Sequence, residues 1–157
     1  MMRISLLPLL LMCILTSFQN PEEEIDMLWD EVSRTVAEGD FEGYSDTFHA
    51  DAVLVNEISG TSYPISEALA GWEQGFIDTK AGKMSASVEF RFSKRLHGEK
   101  TAHDTGIFKY SSKIKGEKER IAYVNFQGLL VKTGSSWKML MEYQISVTSE
   151  EEWKALK

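Results

Sequence analysis

Between residues 134 and 146, apolar side chains recur at every second position, Trp137, Met139, Met141, Tyr143 and Ile145, with Leu140, Glu142, Gln144 and Ser146 between them. That is the period of a strand, and it leaves a carboxylate and an amide together on the second face. Upstream, Val88, Phe90 and Phe92 alternate with Glu89 and Arg91, and a turn follows at Gly98. Residues 101–114 and 121–132 flank Lys115-Gly116-Glu117-Lys118, a hairpin signal. The second half therefore predicts four long antiparallel strands. The first half has a helical period. Pro21 and three glutamates open a helix, Ile25, Leu28, Trp29, Val32 and Val36 form its apolar stripe, and Gly39 stops it. Asp40 caps a shorter helix through Phe41, Tyr44 and Phe48, residues 52–55 read as a short strand, and 60–64 as a turn. A third helix carries Leu69, Trp72, Phe76 and Ile77, and residues 149–153 read as a capped terminal helical turn. This order predicts an α+β domain with three N-terminal helices over one face of a curved antiparallel sheet.

The first residues fit a different role. Met1-Met2-Arg3 is a short basic start, residues 4–15 are an apolar run, and residues 16–20 turn small and polar. This is the pattern of a secretory signal, and the run is shorter than the roughly 20 residues of a membrane span. We expect residues 1–19 to be a cleaved signal peptide, residues 20–157 to be one domain, and the mature protein to be secreted or periplasmic with no stable membrane anchor. An uncleaved anchor is the alternative. Cys13, the one cysteine, lies inside the leader, so the mature chain would have no disulfide and no thiolate chemistry. Loss of Arg3 takes the formal charge from -7 to -8. An acidic chain without a basic stripe argues against nucleic acid as a partner; Lys94-Arg95 and the charges of residues 113–120 read as solvated hairpin tips.

The order of elements, together with Ala37-Glu38-Gly39-Asp40-Phe41, Phe48-His49-Ala50-Asp51-Ala52-Val53, Thr105-Gly106 and Trp137-Lys138-Met139, resembles the NTF2-like superfamily, in particular its SnoaL-like and DUF4440 branches. The resemblance implies a cone with a pocket between sheet and helices, and pairing of many members through sheet faces. It also implies that residues just after the last strand's tryptophan, and every second one onward, face the cone. Leu140, Glu142 and Gln144 would point inward, and Trp137, Met139, Met141 and Tyr143 outward as a homodimer face, since large exposed apolar patches mark interaction surfaces. If Gly128 lies opposite Glu142 and Gly106 beyond it, Asp104, Phe108, Tyr110, Phe126, Glu142 and Gln144 share the inner face, with the glycines leaving room beside the acids. Trp29, Phe48, Trp72 and Phe76 would add apolar walls fit for a small, partly apolar ligand. For these aromatics, ordinary core packing is the competing role. Glu142 suits either a functional acid or a solvated residue at the cone mouth.

Ketosteroid isomerases share this fold and use an aspartate base with a tyrosine and a protonated acid as oxyanion donors. The resemblance aligns Asn56 with that base and Val32 with that tyrosine, and residues 121–137 contain no Asp or Glu. That mechanism is not expected here. His103 and Asp104 are adjacent on a strand and so face opposite ways, while His49 and His97 read as surface or capping residues. No HxH or HExxH spacing, phosphate loop or nucleophile elbow is present, so neither metal nor cofactor is expected. Two functions are left. One is a binding or accessory domain without chemistry; the other is a cofactor-independent isomerase, cyclase or hydrolase in which Asp104 and Glu142 do acid-base work. They differ in whether the two carboxyls converge in one enclosed pocket.

Overall fold

The computed structural model describes residues 20–156; the expected leader and Cys13 lie outside the described residues. The chain runs α1 (Pro21–Glu38), α2 (Phe41–Asp46), β1 (Phe48–Asn56), β2 (Thr61–Pro64), α3 (Ile65–Lys80), β3 (Met84–His97), β4 (Thr101–Ile114), β5 (Arg120–Thr133), β6 (Ser136–Val147) and α4 (Glu150–Ala155). Among the described residues no helix is long and apolar enough to cross a membrane.

Local chemistry accounts for α1. The Asn20 side chain accepts the Glu22 N–H at 3.2 Å, Pro21 sits where a missing donor costs nothing, and Glu22, Glu23 and Glu24 face the positive end of the helix dipole. Ile25, Leu28, Trp29, Val32 and Val36 are buried along one side. Gly39 ends the helix at φ 67°, and a Cβ there would stand 2.4 Å from the Lys80 nitrogen. Only glycine meets both demands, the left-handed backbone and the close approach of the α3 end.

The sheet has the order β2-β1-β6-β5-β4-β3. Two features depart from the expected layout. The three helices do not form one N-terminal group: the strand expected over residues 52–55 extends over β1, and residues 61–64, read as a turn, pair with it as β2, so a strand pair stands between α2 and α3. Phe48 belongs to the start of β1, where it still reaches Tyr44 at 5.4 Å between ring centroids, so a strand residue mimics the helical spacing of Phe41 and Tyr44. The sheet is also mixed. β1 runs parallel to β6, and the other pairs are antiparallel. A parallel pair needs a long crossover, here everything from β2 to β5.

Of the register shifts in the sheet, two decide which way the expected site residues point. On β6, Met139 pairs with Leu130 and Met141 with the adjacent Leu129, so Leu140 is an extra residue. On β3, Phe92 pairs with Gly106 and Lys94 with Thr105, so Ser93 is extra. Gly106 faces that second bulge, where a Cβ would stand 2.1 Å from the Arg91 carbonyl oxygen; it serves backbone approach, not ligand room. Each bulge inverts the alternation of the residues beyond it.

The core lies between the helices and the inner sheet face, with Ile25, Leu54, Phe126, Leu130 and Met139 fully buried. The outer face is partly covered by α4. Its Ser149 and Glu152 form a reciprocal capping box, and Trp153 is buried with the Arg91 guanidinium 4.6 Å above its ring. Arg91 Nη1 donates to the Trp153 and Leu156 carbonyls at 3.0 and 2.8 Å.

Candidate functional site

A cavity of about 430 Å³ opens between α1, α2 and α3 and the inner face of β3 to β6. From the helices, Trp29, Tyr44, Trp72 and Phe76 form its roof, and Phe90, Phe108 and Phe126 form its floor. Gly71, Tyr110 and Ala122 line it while remaining exposed, which locates the mouth. The rings interlock: Tyr44 stands 4.8 Å from Phe76 and 6.1 Å from Trp72, and Phe108 meets Phe126 edge-on at 5.6 Å.

One carboxyl, that of Glu142, faces this space. It is oriented by a chain of amides. The Ser59 N–H donates to Asn56 Oδ1 at 3.0 Å, Asn56 Nδ2 donates to Gln144 Oε1 at 2.9 Å, and Gln144 Nε2 donates to Glu142 Oε1 at 2.7 Å. Because Asn56 occupies the Gln144 oxygen, the Gln144 amide must present its NH₂ group to Glu142. Glu142 is half-buried and lines the cavity. Loss of water pushes its carboxyl above the ordinary glutamate range, and the Gln144 hydrogen bond offsets only part of this. Tyr44 is pushed well above the usual phenol range, first by burial and then by Glu142 and Tyr110 nearby. Its hydroxyl makes no hydrogen bond to a described residue, yet no buried polar atom is orphaned, so it reaches the cavity.

Asp104 sits elsewhere. It is fully buried, accepts Trp29 Nε1–H at 2.8 Å, lies 2.9 Å from His97 Nε2 and 3.3 Å from Arg95, and does not line the cavity. Asp26 takes the other side of the Arg95 guanidinium at 2.6 Å. Register links the two acids: Glu142 lies opposite Gly128, as expected, and beyond Gly128 stands Asp104, not Gly106. Two strand spacings put their backbones roughly 10 Å apart. The room left by Gly128 is filled by Trp29, whose Cη2 would be 2.9 Å from an added Cβ. The indole thus divides the inner face, with Asp104 behind it and Glu142 in front. The two carboxyls do not converge.

The other expected residues can now be placed. Trp29, Trp72, Phe76, Phe108, Tyr110, Phe126 and Gln144 line the cavity with Glu142, whereas Phe48 packs in the core away from it. The outward stripe divides at the Leu140 bulge. Trp137 and Met139 are buried beneath the helices, Trp137 donating to Glu24 at 2.8 Å and Met139 lining the cavity. Met141 and Tyr143 keep the outward orientation. Arg95 and His97 are not solvated ends; the Ser93 bulge turns both towards Asp104. His103 points away from Asp104, to Gln127 at 3.3 Å. Tyr44 and Phe90 are among the cavity residues that sequence reasoning left out. Among the described residues, no three His, Cys, Asp or Glu side chains gather as a metal site would need.

A curved sheet wrapped on helices around one cavity is the NTF2-like architecture. The SnoaL-like domain family matches residues 25–150, and the chain belongs to that family. No curated protein sequence matches the chain. Among solved structures, it is similar to an NTF2-like protein of unknown function from Shewanella oneidensis, at 16% identity and TM-score 0.62 over 80% of this chain and 98% of that one. A conserved protein from Planctomyces limnophilus aligns at 14% identity and TM-score 0.66 over 78% and 92% of the two chains. A ketosteroid isomerase-like protein from Erwinia carotovora atroseptica aligns at 14% identity and TM-score 0.57 over 82% and 99%. At such identities the likeness establishes the fold alone.

Proposed function

We propose that this chain is a small-molecule-binding SnoaL-like domain that works outside the cytoplasm and holds a partly apolar ligand in its cone without chemistry of its own. The observation that carries this reading is the division of the inner face by Trp29. An acid-base pair needs two groups within reach of one substrate, and Asp104 is committed to Trp29, Arg95 and His97 on the far side. What is left in front is an aromatic chamber with one acid and a few neutral polar groups, the composition of a binding pocket. Mass spectrometry of protein purified under native conditions should find a bound small molecule that is absent from the Trp72→Ala variant. A wild-type protein that carries no ligand and takes up none from a metabolite extract would refute the reading.

A second reading has one observation in its favour. Glu142 has a raised pKa and stands near the free Tyr44 hydroxyl, which suffices for a single proton shuttle in a cofactor-independent isomerase, cyclase or hydrolase. Turnover of the recovered ligand that disappears in Glu142→Gln would establish it.

Two further expectations belong to the proposal. Met141 and Tyr143, on outer face that α4 leaves open, would contribute to a homodimer surface; Met141→Lys should then lower the sedimentation coefficient. Export would remove residues 1–19, so N-terminal sequencing of exported protein should begin near Phe18 to Asn20.

A further inference from the structure

We infer that the ligand is a cation, an amine or quaternary ammonium group on a small apolar frame. The inference rests on the cavity being a ligand pocket and adds the charge of what fills it. Glu24, Glu31, Asp40, Asp78 and Asp104 are the other acids withdrawn from full exposure among the described residues, and each holds a Lys or Arg. Glu142 has only the Gln144 amide, and no Lys, Arg or His lines its cavity. A withdrawn carboxylate without a countercharge is costly. Here the missing partner has a place to sit, because the cavity in front of Glu142 is lined by aromatic rings. Trp72, Tyr44, Phe76 and Tyr110 around one carboxylate are what a desolvated ammonium group binds. An anion would meet Glu142 with nothing to offset the repulsion. A neutral ligand would leave the acid either protonated or uncompensated.

The charge argument implies a proton linkage. In the empty cavity burial pushes the Glu142 carboxyl up; an ammonium group beside it favours the ionised form and pulls it down. The other titratable groups facing it are the hydroxyls of Tyr44 on α2 and Tyr110 on β4. The walls supplied by α1, α3, β3 and β5 bring none, and its β1 neighbours are Leu54 and Asn56. Cation binding should therefore strengthen as pH rises through the Glu142 titration, with release of a proton.

Calorimetry with the isosteric pair choline and 3,3-dimethylbutan-1-ol, neither of which titrates in this range, isolates the charge. At about pH 8 the wild-type protein should bind the cation about tenfold more tightly than the neutral probe. The advantage should shrink towards about pH 5 and vanish in Glu142→Gln, whose melting curve confirms folding. Equal or tighter binding of the neutral probe by wild type at the higher pH overturns the inference and leaves the pocket reading standing. Binding of neither probe counts against both.

Discussion

Asp104 and Glu142 stand on the same inner face, joined in register through Gly128, and they have opposite surroundings. Asp104 has no exposed surface and is enclosed by an indole N–H, a guanidinium and an imidazole, with Asp26 balancing the guanidinium from outside. Glu142 faces open space and has one neutral donor. A carboxylate that brings its own countercharge completes the fold and holds Trp29 in place. One that does not leaves an interaction for something else to make. The contrast explains why a pair of acids on one sheet face need not be a catalytic pair.

The comparison can be broken by experiment, and the paired acid should give the largest effect. Asp104→Ala leaves Arg95 withdrawn from water without its buried partner and the Trp29 N–H without an acceptor. It should cost about 3–5 kcal/mol in urea unfolding; a loss under about 1 kcal/mol would show that the cluster is not a closed charge network. Next comes the divider itself. Gly128→Ala drives a methyl against the Trp29 ring and should cost about 1–3 kcal/mol, and movement of the indole should appear as a change in tryptophan fluorescence.

The unpaired acid should behave in the opposite sense. A raised folded-state pKa means that ionisation opposes folding, so stability from this group is present at low pH and is lost as pH rises through the folded pKa. Glu142→Gln should melt above wild type near about pH 8, and the gain should fade towards about pH 3, below the unfolded-state pKa, where both states of the wild-type group are protonated. A destabilised variant at the higher pH would mean that the carboxylate has a partner after all. The smallest effect belongs to an exposed network: Arg34 bonds Glu31, Glu38 and Asp40 at the surface, and Arg34→Gln should shift the melting temperature little beyond experimental error.

Much of this arrangement was legible in the sequence because periodicity survives wherever elements are regular. The stripe from Ile25 to Val36 and the hairpin at Gly116 follow from spacing alone, whereas the supposed pairing of Gly128 with Glu142 is met only because the Leu140 bulge shifts the register by one residue. Alternation could not reveal the bulges at Ser93 and Leu140, since one inserted residue changes the face without changing the composition. The first hid Arg95 and His97 from Asp104, and the second made Trp137 and Met139 look continuous with Met141 and Tyr143. Nor could local pattern show the parallel pairing of β1 with β6, which depends on a long crossover. Trp29 was expected as a wall, but its place between the two acids depends on a tertiary contact over Gly128.

The most direct test of the account is the titration of the Glu142 carboxyl in ligand-free protein, followed by carbon-13 NMR and assigned by the resonance that Glu142→Gln removes. The account predicts a midpoint above the ordinary glutamate value, set by burial without a countercharge. A normal or lowered midpoint would contradict it, because Glu142 would then be solvated or already paired, and the difference from Asp104 on which the proposed pocket rests would be gone.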